Sequence, residues 1–273
     1  MLRILRTIQT IITIKLHNMK YFRYSFLLVL LTAFTACFHV KGVISASKPI
    51  SHAAFDSLLR TYVDAKGFVN YEGFIKDSTA FKQYLALLSN NQPNDKNWSR
   101  DEQMAYWINA YNAFTIQLIC KYYPIASIKD IKKGIPLVSD TWSINFIQIE
   151  GKSYNLNNIE HGILRPKFDD PRIHFAVNCA STSCPKLLNA AFTADKLSVQ
   201  LDAAAKDFIN DGIRNKIKSP QKAELSKIFT WFAGDFRKTA PSVTAFINRY
   251  ADVKLADNVD ISYLDYDWAL NKQ

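Results

Sequence analysis

Residues 99–123 hold a helix long enough to organise whatever folds around it. Ser99 is followed three residues later by Glu102, the reciprocal pairing that caps a helix N-terminus. Met104, Trp107, Tyr111, Phe114 and Leu118 then recur at helical spacing until Pro124 stops the run. A stripe so rich in aromatic rings must be buried against other elements, because helices in globular proteins are held mainly by packing of their apolar face. It is therefore predicted to lie at the centre of a core. The opposite side carries Asn109 and Asn112. Buried amides need partners, so these two either fasten neighbouring backbone, the favoured use, or line a pocket and touch a ligand.

Other elements follow from the same kind of spacing. Further helices are predicted over 51–66, ending at Gly67, through Phe81, Tyr84, Leu85 and Leu88, over 197–209, and over 241–250. Alternation over 142–149, a turn at Glu150-Gly151-Lys152 and a return over 153–156 predict a hairpin, and residues 213–229 a second one around Ser219-Pro220. Asn157 is expected to cap a short helix running to Arg165, with Glu160 at its third position, and residues 172–179 to form a buried strand. Helices and hairpins in mixed order, without regular alternation, predict an α+β fold: a single mixed domain of amphipathic helices packed on short antiparallel hairpins. With 48% hydrophobic residues and only 8 Gly and 9 Pro in 273, disordered and collagen-like classes are excluded.

The front end has a different character. Arg3, Arg6, Lys15, Lys20 and Arg23 precede Cys37 without one acidic residue, and a short apolar run over 26–34 follows. That is the pattern of a secretory signal, too short to span a membrane as a stable helix. Translation from Met19 is one reading, a long charged leader the other. Phe34-Thr35-Ala36-Cys37 resembles a bacterial lipobox, in which Cys37 would be lipidated; ordinary cleavage near Ile44-Ser45-Ala46 is the alternative. The expected organisation is an export signal over 1–37, a linker over 38–47 and a domain over 48–273. The expected location is the periplasm or outer membrane as a lipoprotein, or secretion, with any membrane contact made through the lipid. The chain has 34 Lys and Arg against 24 Asp and Glu; without the five leader residues 29 basic groups remain, dispersed rather than clustered. No nucleic-acid partner is expected.

Four blocks carry a resemblance: YWINAYNA (106–113), NLNNIEHGILR (155–165), DPRIHFAVNCASTSCP (170–185) and YDWALN (266–271). Together they resemble the domain of unknown function 547 family and span most of the chain beyond the leader. The resemblance implies no assigned activity.

The chemistry-bearing residues fall inside these blocks. Within the domain over 48–273 only His52, His161 and His174 occur, and the last two accompany Cys179 and Cys184. One reading is thiol catalysis of hydrolase or acyl-transfer type. Cys179 or Cys184 is then the nucleophile, His161 the general base, and Asn178, Asp170 or Glu160 the group that orients the ring. Arg165 or Arg172 would meet a substrate anion, with His174, Asn109 and Asn112 as further substrate contacts. If 172–179 is a strand, His174 and Cys179 point to opposite faces about 16 Å apart, which removes His174 as the base for Cys179.

A second reading closes Cys179 and Cys184 into a disulfide around residues 180–183, as export favours, and makes the protein a non-catalytic envelope binding or scaffold domain. A third reading, a metal site from His161, His174, Cys179 and Cys184, matches no standard ligand spacing, so no metal is expected. No cofactor is expected either, since no Gly-rich phosphate loop is present. Cys120 reads as an inert core thiol. Neither ligand nor oligomeric state is legible.

Overall fold

Three short helices, α1 (Ala53–Tyr62), α2 (Tyr71–Lys76) and α3 (Ser78–Ser89), lead into the long helix α4 (Arg100–Tyr122) in a computed structural model that describes residues 46–132 and 140–273. The leader, Met19 and Cys37 lie outside the described residues. The capping box is present: Ser99 Oγ accepts from Glu102 N at 3.3 Å, and the Glu102 carboxylate accepts from Ser99 N at 2.7 Å. The helix is buried on all sides from Gln103 to Ile116, not along one stripe. Neighbours close on its polar face as well, and this is why Asn109 and Asn112 lie in the interior.

Beyond α4, β1 (Ile147–Ile149) pairs antiparallel with β2 (Lys152–Tyr154). Glu150 and Gly151 turn the corner at φ 46° and 76°, the left-handed pair that a two-residue hairpin loop requires. Helix α5 (Leu156–Ile159) continues through a π-helical turn, Glu160–Leu164, into α6 (Arg165–Phe168). Asn155, not Asn157, is the cap, and its partner in the capping box is Asn158. Glu160 is thereby released from capping and sits in the π turn, a feature often found at functional sites.

Residues 172–179 are not a strand. Pro171–Phe175 is a 3-10 helix whose cap, Asp170, accepts from Arg172 N at 3.0 Å. The alternation of Ile173, Phe175 and Val177 imitated a strand, but Asp170-Pro171 is a helix-start signature and it prevails. The expected separation of His174 from Cys179 fails with the strand.

Helix α7 (Leu197–Asn210) precedes β3 (Lys216–Ser219) and β4 (Lys222–Leu225), then α8 (Ile228–Trp231), α9 (Ala233–Thr239), α10 (Val243–Tyr250) and β5 (Asp260–Tyr263). β4 is central, antiparallel to β3 and parallel to β5, with Lys222 opposite Asp260. The architecture is α+β, with helices packed on short strand pairs. Ser242 caps α10, placing Pro241 just ahead of the helix.

Two apolar clusters result. One surrounds α4. The other gathers Phe175, Phe208, Phe229, Phe236 and Phe246, with ring centroids 4.8–6.2 Å apart. The C-terminal tail is threaded back through the fold. Val69 N donates to Asn271 O at 2.8 Å, Leu270 N to Ala126 O at 2.8 Å and Asn271 N to Ala180 O at 3.3 Å. Beside it Gly67 turns at φ +83°, where a Cβ would stand 2.4 Å from Cβ of Lys186. Among the described residues no helix is long and apolar enough to cross a membrane.

Candidate functional site

Tyr111 of α4, Glu160 and His161 of the π turn, His174 of the 3-10 helix and both cysteines of the following loop line one cavity of about 230 Å³. Trp142, Ile228, Trp231, Phe232, Tyr266 and Trp268 form much of the remaining wall. A larger cavity of about 480 Å³ lies beside His52, Asp56 and Arg60. It contains no thiol, and Nδ1 of His52 is already bound to Tyr84 Oη at 2.7 Å.

The cysteine loop is held from below by amides. Asn112 Nδ2 donates to Ala176 O at 2.9 Å while its Oδ1 accepts from Asn178 N at 2.9 Å. Asn178 Oδ1 in turn accepts from Ala180 N at 2.8 Å and its Nδ2 donates to Pro185 O at 2.8 Å, fixing the turn in which Ala180 takes φ 59°. Asn109 does the same for Phe192, donating at 2.8 Å and accepting at 3.0 Å. All three amides fasten backbone; none lines the cavity, so substrate contact by Asn109 or Asn112 and ring orientation by Asn178 have no geometry here.

Cys179 and Cys184 are free thiols with sulfurs 2.7 Å apart. Cys179 Sγ also lies 3.4 Å from Ser181 Oγ and 3.3 Å from Tyr266 Oη, and Cys179 N donates to Cys184 Sγ at 2.9 Å. Burial opposes ionisation of Cys179, but hydrogen bonds from Cys184, Ser181 and Tyr266 outweigh it and set this thiol below the ordinary value. Cys184 moves the other way, pushed well up by burial and by its neighbour Cys179. A charge on this pair therefore resides on Cys179. Cys120 is a separate, partly buried thiol that burial raises to about 12.

The two histidines differ. His161 is 42% exposed in its side chain; its Nδ1 accepts from Arg165 Nη1 at 3.1 Å and lies 4.0 Å from Glu160 Oε1. Because a guanidinium only donates, the His161 proton must sit on Nε2, making that atom a donor. Both His161 and His174 line the cavity with the two sulfurs, and no hydrogen bond joins either ring to a sulfur.

His174 is buried, stacks on Phe232 at 3.8 Å, and donates from Nε2 to Asp235 Oδ2 at 2.9 Å. Burial lowers its pKa despite Asp235, so the ring is neutral and Nδ1 is a bare acceptor. That Nδ1 is buried without a hydrogen-bond partner. His174 shares the cavity with Cys179, contrary to the separation expected from a strand.

Glu160 is buried near Tyr111, whose hydroxyl is kept protonated by burial and by the Glu160 charge. The two arginines are consumed elsewhere. Arg165 Nε binds Asp235 Oδ2 at 2.6 Å, and Arg172 binds Asp170 at 2.6 Å and Asp202 at 2.9 Å. Neither lines the cavity, so no anion contact is formed by them. Among the described residues no group of three His, Cys, Asp or Glu is arranged to hold a metal ion.

Reasoning from sequence passed over Asp235, which burial would neutralise but which His174 and Arg165 together hold well below the usual carboxylate range. An acid one residue before Phe236 gave no signal by itself. Tyr111, Trp231, Phe232, Tyr266 and Trp268 read as core because aromatic spacing alone does not separate a core ring from a cavity wall.

Among curated proteins and among solved structures no match is found. Residues 96–209 match a family model described as "Protein of unknown function, DUF547". That segment runs from the approach to α4 into α7 and contains Tyr111, Glu160, His161, His174, Cys179 and Cys184. Over residues 96–209, which hold both cavity thiols and both cavity histidines, the chain matches the DUF547 family model.

Proposed function

We propose that the cavity is a thiol-dependent active site of hydrolase or acyl-transfer type on an exported domain. The observation that carries this reading is that one cavity is lined both by Cys179, whose thiol is set below its ordinary value, and by His174, whose Nε2 is held by Asp235 and whose Nδ1 is left without a partner. In this scheme Cys179 Sγ attacks an acyl carbon, forming a C–S bond while the carbonyl π pair moves to oxygen. Collapse expels the leaving group, which takes the proton released by the thiol through His174 Nδ1. Water or an acceptor then attacks the thioester, gives its proton to Nδ1 and restores the thiol. His161, with its proton on Nε2, is suited to donate to a developing oxyanion. The signal-like leader supports export, with Cys37 as the lipid attachment point.

A second reading has a specific observation behind it. Two sulfurs 2.7 Å apart are placed to oxidise, and a closed Cys179–Cys184 bridge would leave a non-catalytic binding or scaffold domain. Intact mass of protein from membranes and from soluble extract, alkylated before and after reduction, separates the readings. Rapid alkylation of Cys179 before reduction, with a lipid mass on Cys37, is the expected result. Two thiols that appear only after reduction, on an unlipidated chain, overturn both the resting nucleophile and the anchor.

A further inference from the structure

Charge is distributed against the grain of the sequence. The chain carries a formal charge of +10, yet among the described residues no Lys or Arg lines the thiol cavity, while the carboxylates Asp140 and Glu160 do. Neither carboxylate forms an ion pair with a described Lys or Arg. Glu160 meets Tyr111 and, at 4.0 Å, His161 Nδ1; Asp140 accepts from Ser143 N at 2.7 Å and from Asn157 Nδ2 at 3.4 Å.

The facing wall is made of rings, most of them set at angles to one another, with Trp231 and Trp268 near parallel at 6.2 Å and 22°. Tyr266 and Trp268 are 4.6 Å apart at 48°, Trp231 and Tyr266 4.8 Å at 49°, and Trp142 and Trp268 5.5 Å at 65°. Rings at such angles turn their negative faces in more than one direction, and all four line the same cavity. One of these rings already holds an ammonium: Lys129 Nζ lies 5.0 Å from the Trp268 centroid. Trp231 keeps 48% of its surface exposed, so the wall is open to a ligand from outside.

We infer that the cavity binds an alkylammonium group, held by the Trp142, Trp231, Tyr266 and Trp268 rings against the Glu160 and Asp140 carboxylates. This rests on the proposed thiol chemistry and names its substrate class: an acyl donor or acceptor that carries a fixed or protonated amine. Anionic substrates meet two carboxylates on a lining that holds no Lys or Arg among the described residues. Neutral apolar ones leave Glu160 buried beside an uncharged guest, with no counter-charge for it.

Isothermal titration of the full, reduced chain tests this with four probes. Tetramethylammonium and Nα-acetyl-lysine N-methylamide carry the head; 3,3-dimethylbutanol and 3,3-dimethylbutyrate are its neutral and anionic counterparts. The ammonium probes should bind about tenfold tighter than the alcohol and tighter still than the carboxylate. Preference for the peptide-borne head over the free ion assigns the amine to a lysine-like side chain, and the reverse to a small amine.

Glu160→Gln, which keeps the shape beside Tyr111, and Trp231→Ala, at a half-exposed ring, should each erase most of that preference. Equal binding of the alcohol, tighter binding of the carboxylate, or no binding of either ammonium overturns the inference. The titrations are repeated with Cys179→Ser, and Cys179 alkylation is timed in parallel. Fast alkylation without ammonium preference rejects the substrate class alone; ammonium preference with slow alkylation rejects the thiol chemistry alone.

Discussion

His174 and Asp235, 61 residues apart in the chain, share a hydrogen bond of 2.9 Å that fixes which ring nitrogen is bare. Arg165 binds the same carboxylate oxygen at 2.6 Å, so Asp235 stays ionised and Nε2 of His174 keeps its proton. Replacing Asp235 with Asn retains the shape and removes the charge. Thiol-dependent turnover of p-nitrophenyl acetate should fall by about a hundredfold as the tautomer is released. Stability, followed by urea unfolding, should drop by about 3 kcal/mol because Arg165 loses its partner in a partly buried site. Unchanged turnover with that loss of stability would make the pair structural only.

Iodoacetamide should distinguish Cys179 from the other described cysteines at pH 8 in reduced protein. Cys179 reacts first, while Cys184, pushed well up, and Cys120, raised to about 12, both react slowly. Tyr266→Phe removes one of the hydrogen bonds that hold the Cys179 charge and should slow its alkylation by about tenfold, one pK unit, read by peptide mass spectrometry. Equal labelling of Cys179 in both proteins would remove Tyr266 from that role.

Asn112→Ala should lower stability by about 2–4 kcal/mol, since it strips partners from the buried Ala176 carbonyl and Asn178 amide at once. The same change should broaden the cysteine loop, seen as faster hydrogen exchange at Asn178 and Ala180. An Asn112→Asp variant, which keeps the acceptor and loses the donor, should fall between the two.

Acid should weaken the fold well above the carboxylate range. His52 is buried with a pKa of about 4 against 6.5 for the free side chain, a shift caused by desolvation. As pH falls from 6.5 to 4 the unfolded chain takes up a proton that the folded chain refuses, so stability declines over that interval and levels off below it. The loss from this residue is about 3 kcal/mol, and His174, shifted in the same direction, adds to it. Asp235 acts lower: its contribution, present above the usual carboxylate value, disappears only as pH falls further. His52→Gln should flatten the upper part of the profile measured by urea unfolding.

Much of this architecture was readable from local pattern. The Ser99–Glu102 box, the Glu150-Gly151 corner and the amphipathic run of α7 are short-range signals, and each element stands where its residues implied. The region around Arg172 was misread because Ile173, Phe175 and Val177 alternate like a strand while Asp170-Pro171 starts a helix. That one error separated His174 from Cys179. The pairing of His174 with Asp235, and the rings that Tyr266 and Trp268 bring to the cavity, depend on contacts 61 to 87 residues apart. No periodicity reports contacts at such range.

The threaded tail bears on where this domain can be cut. The segment matching the family ends at residue 209, whereas Asn271 supplies the acceptor for Tyr71 Oη at 2.7 Å and a donor to Asn178 Oδ1 at 3.2 Å. A fragment trimmed to the matching segment would lose Trp231, Tyr266 and Trp268 from the cavity and Asp235 from His174. Inside it, Asn178 would lose a partner at the loop that carries both thiols. A piece that keeps this cavity whole therefore extends beyond residue 209 as far as the tail.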